Sequence, residues 1–230
     1  MIKLIQDAES YTLAVLPNDS HMSTWVEQAK TIVTDQTVPL HILPLFNEGD
    51  TVVDVGANIG THTVSYAKKV GGSGRVLAFE PYLPSFVCLA VNCRDLPQVE
   101  LHNCALGNAY MTVALRTPTD TNMGTVCVEK DRPGNTLMRR LDDIALASCR
   151  FIKIDAEGCE PDVIRGALDT IAKFKPTLFV ELNDSALRHY GYTKATVLDL
   201  LESVGYEMQF VDARHTLKES QLDVIMRPKR

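Results

Sequence analysis

The sequence predicts an α/β fold built on a mostly parallel sheet, and three observations carry that expectation. From residue 50 onward short β-rich runs alternate with helical patterns, the order expected of strand–helix–strand units. The runs at residues 51–55 and 151–154 are apolar almost throughout, as strands covered on both faces must be. Between the first of these strands and the next helix stands a turn bearing Gly56 and Gly60, where missing side chains let the backbone approach a ligand and the helix start offers free N–H groups.

In chain order, residues 11–16 read as a short strand. Residues 23–33 read as a helix with Ser23 as N-cap and with Trp25, Ala29 and Ile32 on one face. Residues 1–45 are expected to form a cover segment over the sheet edge or the site, ahead of a main domain at 46–230. In that domain strand 51–55 turns through 56–60 into a helix reaching about Val70. Strand 75–79 is entered through the glycine-rich turn 71–74, and residues 84–95 form a helix with Pro84 in its first turn. Residues 98–102 are a third strand. Residues 110–116 alternate like a strand, whereas 117–135 is rich in Thr, Pro, Gly and Asp without a period and reads as a long loop. After strand 151–154, Pro161 opens a helix to about Phe174, followed by strand 177–181. A helix at 193–204 is ended by Gly205, and strands 206–211 and 222–226 form a terminal antiparallel pair around a polar turn.

At 230 residues the chain fits one domain with a short extra segment. Its 45% hydrophobic and 23% charged residues exclude collagen-like, coiled-coil and wholly disordered classes. A net charge of −6 opposes adhesion to phosphate backbones or anionic bilayers, so neither a nucleic acid nor a membrane is expected as partner. No apolar run is long enough to span a bilayer, and the first residues meet a charge before a signal-like core forms, so a cytoplasmic location is expected. The six cysteines form no CxxC pair and no zinc-like spacing with histidine, and read as reduced, mostly buried thiols.

Three motifs carry chemistry. In Asp54-Val-Gly56-Ala57-Asn58-Ile-Gly60, Asn58 and Thr61 stand where a dinucleotide fingerprint needs glycine, and no Gly-Lys-Ser/Thr follows to make a phosphate loop. Glu80 ends the second strand, where a carboxylate can accept hydrogen bonds from both ribose hydroxyls. Lys153-Ile-Asp155-Ala-Glu157-Gly-Cys-Glu160 places three carboxylates directly after a buried strand, costly unless they are solvated, protonated, paired or metal-bound. Glu160 is read as a helix-start charge. Asp54, Glu80, Asp155 and Glu181 all occupy carboxyl ends of strands, the ligand-binding edge of open α/β sheets.

These residues resemble the FkbM family of methyltransferases. Residues 52–60, 78–81, 105–107, 141–143, 152–158 and 179–182 match its motifs in order, from about Gly49 to Met226. The resemblance implies a seven-stranded Rossmann-like sheet with helices on both faces and an antiparallel C-terminal pair. It implies S-adenosylmethionine as cofactor and O-methylation of small molecules or sugars as the usual activity. Carried over position by position, Asp54, Gly56, Asn58 and Gly60 would hold the methionine part, Glu80 the ribose, and Asn103 and Ala105 would flank the adenine, with Ala57, Thr61 and Pro81 also binding the cofactor. Asp155 and Glu157 would face the acceptor, with Asp155 also beside the cofactor, and Lys153, Glu181 and Asn183 would bind substrate. By analogy with catechol-type enzymes, Asp155 and Glu181 would be the place for a divalent metal such as magnesium, although a metal is not the favoured expectation. His62 departs from the family pattern and joins Asp155 and Glu157 as a candidate catalytic base. A carboxyl or nitrogen acceptor, or a module that binds cofactor without turnover, stays open, a carboxylate acceptor needing a cation such as Lys153. The loop 117–135 and the first 45 residues are expected to set substrate choice, while the acceptor and the oligomeric state are left open.

Overall fold

The computed structural model describes residues 2–32, 37–117, 121–212 and 214–229. The chain opens with a hairpin of β1 (Lys3–Gln6) and β2 (Thr12–Val15), then helix α1 (Met22–Ala29). Next come β3 (Thr51–Val55), α2 (Thr61–Val70), β4 (Arg75–Phe79), α3 (Leu83–Asn92) and β5 (Val99–His102). An excursion follows, made of β6 (Ala105–Leu106), β7 (Met111–Arg116), β8 (Cys127–Glu129) and β9 (Thr136–Arg139). The second half holds β10 (Phe151–Ile154), α4 (Glu160–Arg165), α5 (Leu168–Phe174), β11 (Thr177–Asn183) and α6 (Asp184–His189). Helix α7 (Lys194–Ser203) and strands β12 (Tyr206–Phe210) and β13 (Gln221–Pro228) complete it.

Seven strands pair in the order β12-β13-β11-β10-β3-β4-β5, with β13 antiparallel to both neighbours and the other pairings parallel. This is the mostly parallel sheet with an antiparallel C-terminal pair that the sequence predicts. The chain runs outward from β3 to β5 and then returns to β10 on the other side of β3, so the strand order reverses between β3 and β10. A crevice opens at such a point because the connections leave on opposite faces. One face of the sheet buries Val53, Ile152 and Val180 with Val163, Ile171 and Leu201. The other buries Val52, Phe151 and Phe179 with Tyr66, Phe46 and Ile42.

The hairpin and α1 share a core with the first helices: Leu13, Val15 and Val26 pack with Ile59 and Leu89. The Asn92 side chain fixes this join, accepting from Ala14 N at 2.7 Å and donating to Ala14 O at 2.9 Å and Ile59 O at 2.8 Å. Helix α1 differs from its expected form. The carboxylate of Asp19 accepts from Ser23 N at 2.8 Å, while Ser23 Oγ accepts from Leu16 N at 3.0 Å and so turns inward within the helix instead of capping it. Ser23 and Val26 form the buried face, whereas Trp25 and Ala29 are exposed; Ile32 is buried. The expected end at Val33 lies outside the described residues.

Two further expectations are corrected. The helix drawn from Pro161 to Phe174 is two helices, α4 and α5, parted at Gly166 and Ala167. A Cβ on Gly166 would lie 1.9 Å from the carbonyl oxygen of Gly107, so the excursion presses its backbone into the break. We expect Gly166→Ala to cost about 1–3 kcal/mol through forced displacement, read as a lower urea midpoint with an unchanged slope. The stretch 117–135 is not one loop: β8 lies within it, and with β9 just beyond it a second sheet forms in the order β6-β9-β7-β8. Strands of two to six residues are too short to declare a period, and residues 118–120 lie outside the described residues. All six cysteines are buried and free. Among the described residues no helix is long and apolar enough to cross a membrane.

Candidate active site

The carboxyl ends of β3, β4, β10 and β11 border a cleft of about 450 Å³. The turn after β3 is shaped by three left-handed residues, Gly56 (φ 76°), Asn58 (φ 50°) and Gly60 (φ 96°). At Gly56 the need for glycine is steric as well, because a Cβ would lie 1.9 Å from Asp155 O. The turn is therefore seated directly on the end of β10. Its Gly56 N and Ala57 N both donate to Phe79 O at 3.0 Å, which ties it to the end of β4.

Glu80 stands beside this turn with both oxygens engaged. Oε2 accepts from Asn58 N at 2.9 Å and Oε1 from Tyr82 N at 2.8 Å. Burial pushes its carboxyl up to about 7, against the opposing pull of those two N–H groups. Asn103 fixes the backbone behind it, Nδ2 donating to Glu80 O at 2.8 Å and to Pro81 O at 3.2 Å.

Beneath the turn lies a buried ion group set by strand register, which places Lys153 opposite Asp54 on neighbouring strands. Lys153 Nζ sits 3.0 Å from Asp155 Oδ2 and 3.7 Å from Asp54 Oδ1, and donates to Gly56 O at 3.0 Å. Asp54 Oδ2 accepts from Thr63 Oγ1 at 2.6 Å. Burial alone would drive Lys153 toward neutrality, but Asp155 and Asp54 outweigh it and hold the ammonium well above its ordinary range.

The far end of the cleft is acidic: Asp155, Glu157 and Glu181 bring carboxylate oxygens within 4.8 Å of one another. Asp155 is kept below the usual carboxylate range, since the Lys153 ammonium and a hydrogen bond from Glu181 overcome its burial. That charge, together with burial, pushes Glu181 up to about 10. Burial and the charge of Asp155 push Glu157 up to about 8. At neutral pH the cluster thus carries its charge on Asp155 and holds protons on its neighbours. Gln221 Nε2 donates to Glu181 Oε1 at 2.6 Å from the adjoining antiparallel strand. Glu160 does not join the cluster. Its Oε1 accepts from Ala156 N and Gly158 N, both at 3.0 Å, and braces the turn into α4.

Of the residues singled out in the sequence, Gly56, Ala57, Asn58, Thr61, His62, Glu80, Pro81, Ala105, Lys153, Asp155, Glu157 and Glu181 border the cleft. His62 stands with Nδ1 3.5 Å from Tyr66 Oη, close enough to Asp155 to favour its ionised form. Four residues are placed elsewhere. Asp54, expected at the methionine part, is fully buried under the turn. Gly60 faces α3, where a Cβ would lie 2.9 Å from Leu89 Cδ1. Asn103 supports Glu80 from behind instead of facing the cleft. Asn183, expected at the substrate, caps α6, its Oδ1 accepting from Ser185 N at 3.0 Å and Ala186 N at 3.3 Å. Lys153 reaches only the floor, with its ammonium already engaged.

Sequence reasoning missed the roof. His21, just before α1, Met22 and Trp25 in it, and Asn122, Met123 and Gly124 from the excursion also border the cleft. Their only sequence signal is placement in the two segments expected to govern substrate choice.

The reversal of strand order at β3 and β10, with a glycine turn and a strand-end glutamate beside it, makes this a Rossmann-like sheet with its ligand-binding edge at the cleft. The chain belongs to the methyltransferase FkbM domain family, which matches residues 54–208. It is 29% identical over 189 residues to "Methyltransferase 1" of Beauveria bassiana, covering 70% of this chain and 74% of that one. The crystal structure of methyltransferase FkbM from Methylobacillus flagellatus aligns with a TM-score of 0.55 and 21% identity over 84% of this chain. The present chain spans about half of that protein, 48% of its length. A TehB-like SAM-dependent methyltransferase from Corynebacterium glutamicum aligns with a TM-score of 0.52 and 12% identity, covering 93% of this chain and 98% of that one. These two structures share the fold.

Proposed function

We propose that the protein is an S-adenosylmethionine-dependent methyltransferase acting on a hydroxyl of a small molecule or sugar. The observation that carries this reading is the pairing, in one cleft, of the Glu80 end with the Asp155–Glu157–Glu181 end. Asn58 supports the cofactor assignment, because its Oδ1 is buried at the cleft wall without a hydrogen-bond partner, and such an acceptor calls for a donor such as a ligand ammonium. Bound there, S-adenosylmethionine supplies an electrophilic methyl group on sulfur. Glu80 keeps lone pairs for the ribose hydroxyls, and the Gly56–Asn58 backbone forms the adjoining wall.

At the acidic end Glu157, whose carboxyl is pushed up to about 8 and so ionises in mildly basic solution, takes the acceptor's proton in its ionised form, since a base titrating near the working pH transfers protons most effectively. Asp155, held ionised by Lys153, orients the acceptor hydroxyl, and His62 is the second candidate base. A carboxylate acceptor is less well supported: Asp155 repels it, and Lys153 has its charge satisfied below the floor. The acidic triple could accept a divalent ion, so binding and turnover should be compared with and without magnesium. Residues 1–45 serve as the cover segment of the domain at 46–230, and the net charge of −6 supports a small acceptor over a nucleic acid or membrane. The buried free thiols support a cytoplasmic location.

The reading is tested by calorimetric titration with S-adenosylhomocysteine, followed by a screen of hydroxyl acceptors for methyl transfer. Transfer to none of a broad panel, with cofactor bound, would favour a binding module without turnover. Binding should also depend on pH. The ionised Glu80 is the form that accepts hydroxyl donors, and its carboxyl titrates at about 7. Affinity is therefore full above that value and falls as pH drops through it, approaching about tenfold per unit. Glu80→Gln should bind more weakly and lose this pH dependence, and an unaltered pH profile in that variant would contradict the assignment.

A further inference from the structure

A buried carboxylate with no part in the chemistry above is Asp19, 3% exposed. Its Oδ1 accepts from His21 N at 3.3 Å and from Met123 N at 3.1 Å, a partner 104 residues away. Its Oδ2 accepts from Ser23 N at 2.8 Å in the first turn of α1. A parallel strap joins the same two segments, Ser20 N donating to Thr121 O at 3.0 Å. One carboxylate thus holds the start of α1 and the 121–125 turn together. Both carry cleft-bordering side chains, Met22 and Trp25 on one and Met123 on the other. The turn also lies over the cofactor-side wall, where a Cβ on Gly124 would come 3.6 Å from Asn58 Nδ2. Trp25, the only tryptophan, is 47% exposed at the cleft, with His21 5.6 Å from it ring to ring.

Resting on the methyl-transfer reading of the cleft, we propose that Asp19 is a positioning residue for the reaction. It fastens α1 and the 121–125 turn into one roof, which closes over Asn58 and holds Trp25 at the cleft. Carboxylate bonds to backbone N–H groups are among the stronger hydrogen bonds, and sharing one carboxylate couples the two segments, so that loosening either loosens both.

Hydrogen exchange on ligand-free protein, read by mass spectrometry, tests the roof itself. Asp19→Ala should speed exchange by about tenfold or more in both 20–25 and 121–125, as expected for losing charged hydrogen bonds. Met123→Pro deletes the distant donor while leaving Asp19 in place and should speed exchange in both segments too. Met123→Ala keeps that N–H and should leave both near wild type. Faster exchange in 20–25 alone, in either variant, overturns the proposal and reduces Asp19 to a local helix cap. Should Asp19→Ala fail to fold, Met123→Pro decides the matter.

The positioning role is read from Trp25 emission during titration with S-adenosylhomocysteine. Wild type should show a saturable change that Asp19→Ala loses while still binding the ligand by calorimetry. The same emission change in both proteins overturns the role. A wild type that binds no S-adenosylhomocysteine instead overturns the methyl-transfer reading, and the exchange pattern still decides whether the roof is one unit.

Discussion

Glu80→Ala is expected to abolish calorimetrically detectable binding of S-adenosylhomocysteine while the protein stays folded. Two losses combine. Hydrogen bonds from ligand hydroxyls to a carboxylate contribute roughly 1.5–3 kcal/mol each, so removing their acceptor weakens binding on the order of a hundredfold or more. The backbone N–H groups of Asn58 and Tyr82 also lose the carboxylate they share, and the cofactor turn loses the anchor that sets its distance from β4. Circular dichroism and a melting curve serve as controls, because the turn keeps its bonds from Gly56 N and Ala57 N to Phe79 O. Binding within about threefold of wild type, well under 1 kcal/mol, would show that Glu80 does not hold the ligand.

Lys153→Met should be the most damaging single change to stability among the cleft residues. It strips the counter-charge from Asp155 and Asp54 and leaves Gly56 O without the donor it has at 3.0 Å. Breaking a buried ion pair from one side costs about 3–5 kcal/mol, a large share of the stability of an ordinary domain. The sign of its pH dependence follows from Asp155. In wild type Lys153 holds that carboxyl below its ordinary value, which stabilises the fold above the unfolded-state value and is lost as pH falls. Without the ammonium, burial raises the carboxyl instead, and that contribution is present only at low pH. The deficit of Lys153→Met in urea titrations should therefore be largest at neutral pH and shrink in acid. A second change, Asp155→Asn, should recover part of it, because the uncompensated charge is then removed. A deficit independent of pH would indicate lost packing rather than an unpaired carboxylate.

The central strands were legible because burial on both faces leaves a continuous apolar run, as in Val52, Val53 and Val55 or Phe151, Ile152 and Ile154. Glu80 was legible for a related reason: an acidic residue directly after such a run has to stand at the strand end. The burial of Asp54 and the engagement of Lys153 in an ion group follow from register. The two residues face each other across β3 and β10, a relation between segments 99 residues apart that no local pattern contains. Asn183 was misread because residue type and spacing do not reveal that the chain turns into α6 at that point and uses the amide as a cap. The break at Gly166 was hidden for a similar reason, since it is caused by Gly107 from the excursion. The roof was the least legible part of the site, because the Asp19 loop and the aperiodic 121–125 turn are joined only in the folded chain.

The claim on which the rest depends is that the cleft between β3, β4 and β10 holds an adenosyl ligand. It is tested most directly by calorimetry of the wild-type protein with S-adenosylhomocysteine at pH 8, with NAD as control. Saturable binding of one S-adenosylhomocysteine per chain, and none of NAD, is the expected result. A folded protein that gives no heat with S-adenosylhomocysteine, or binds NAD equally well, would contradict it.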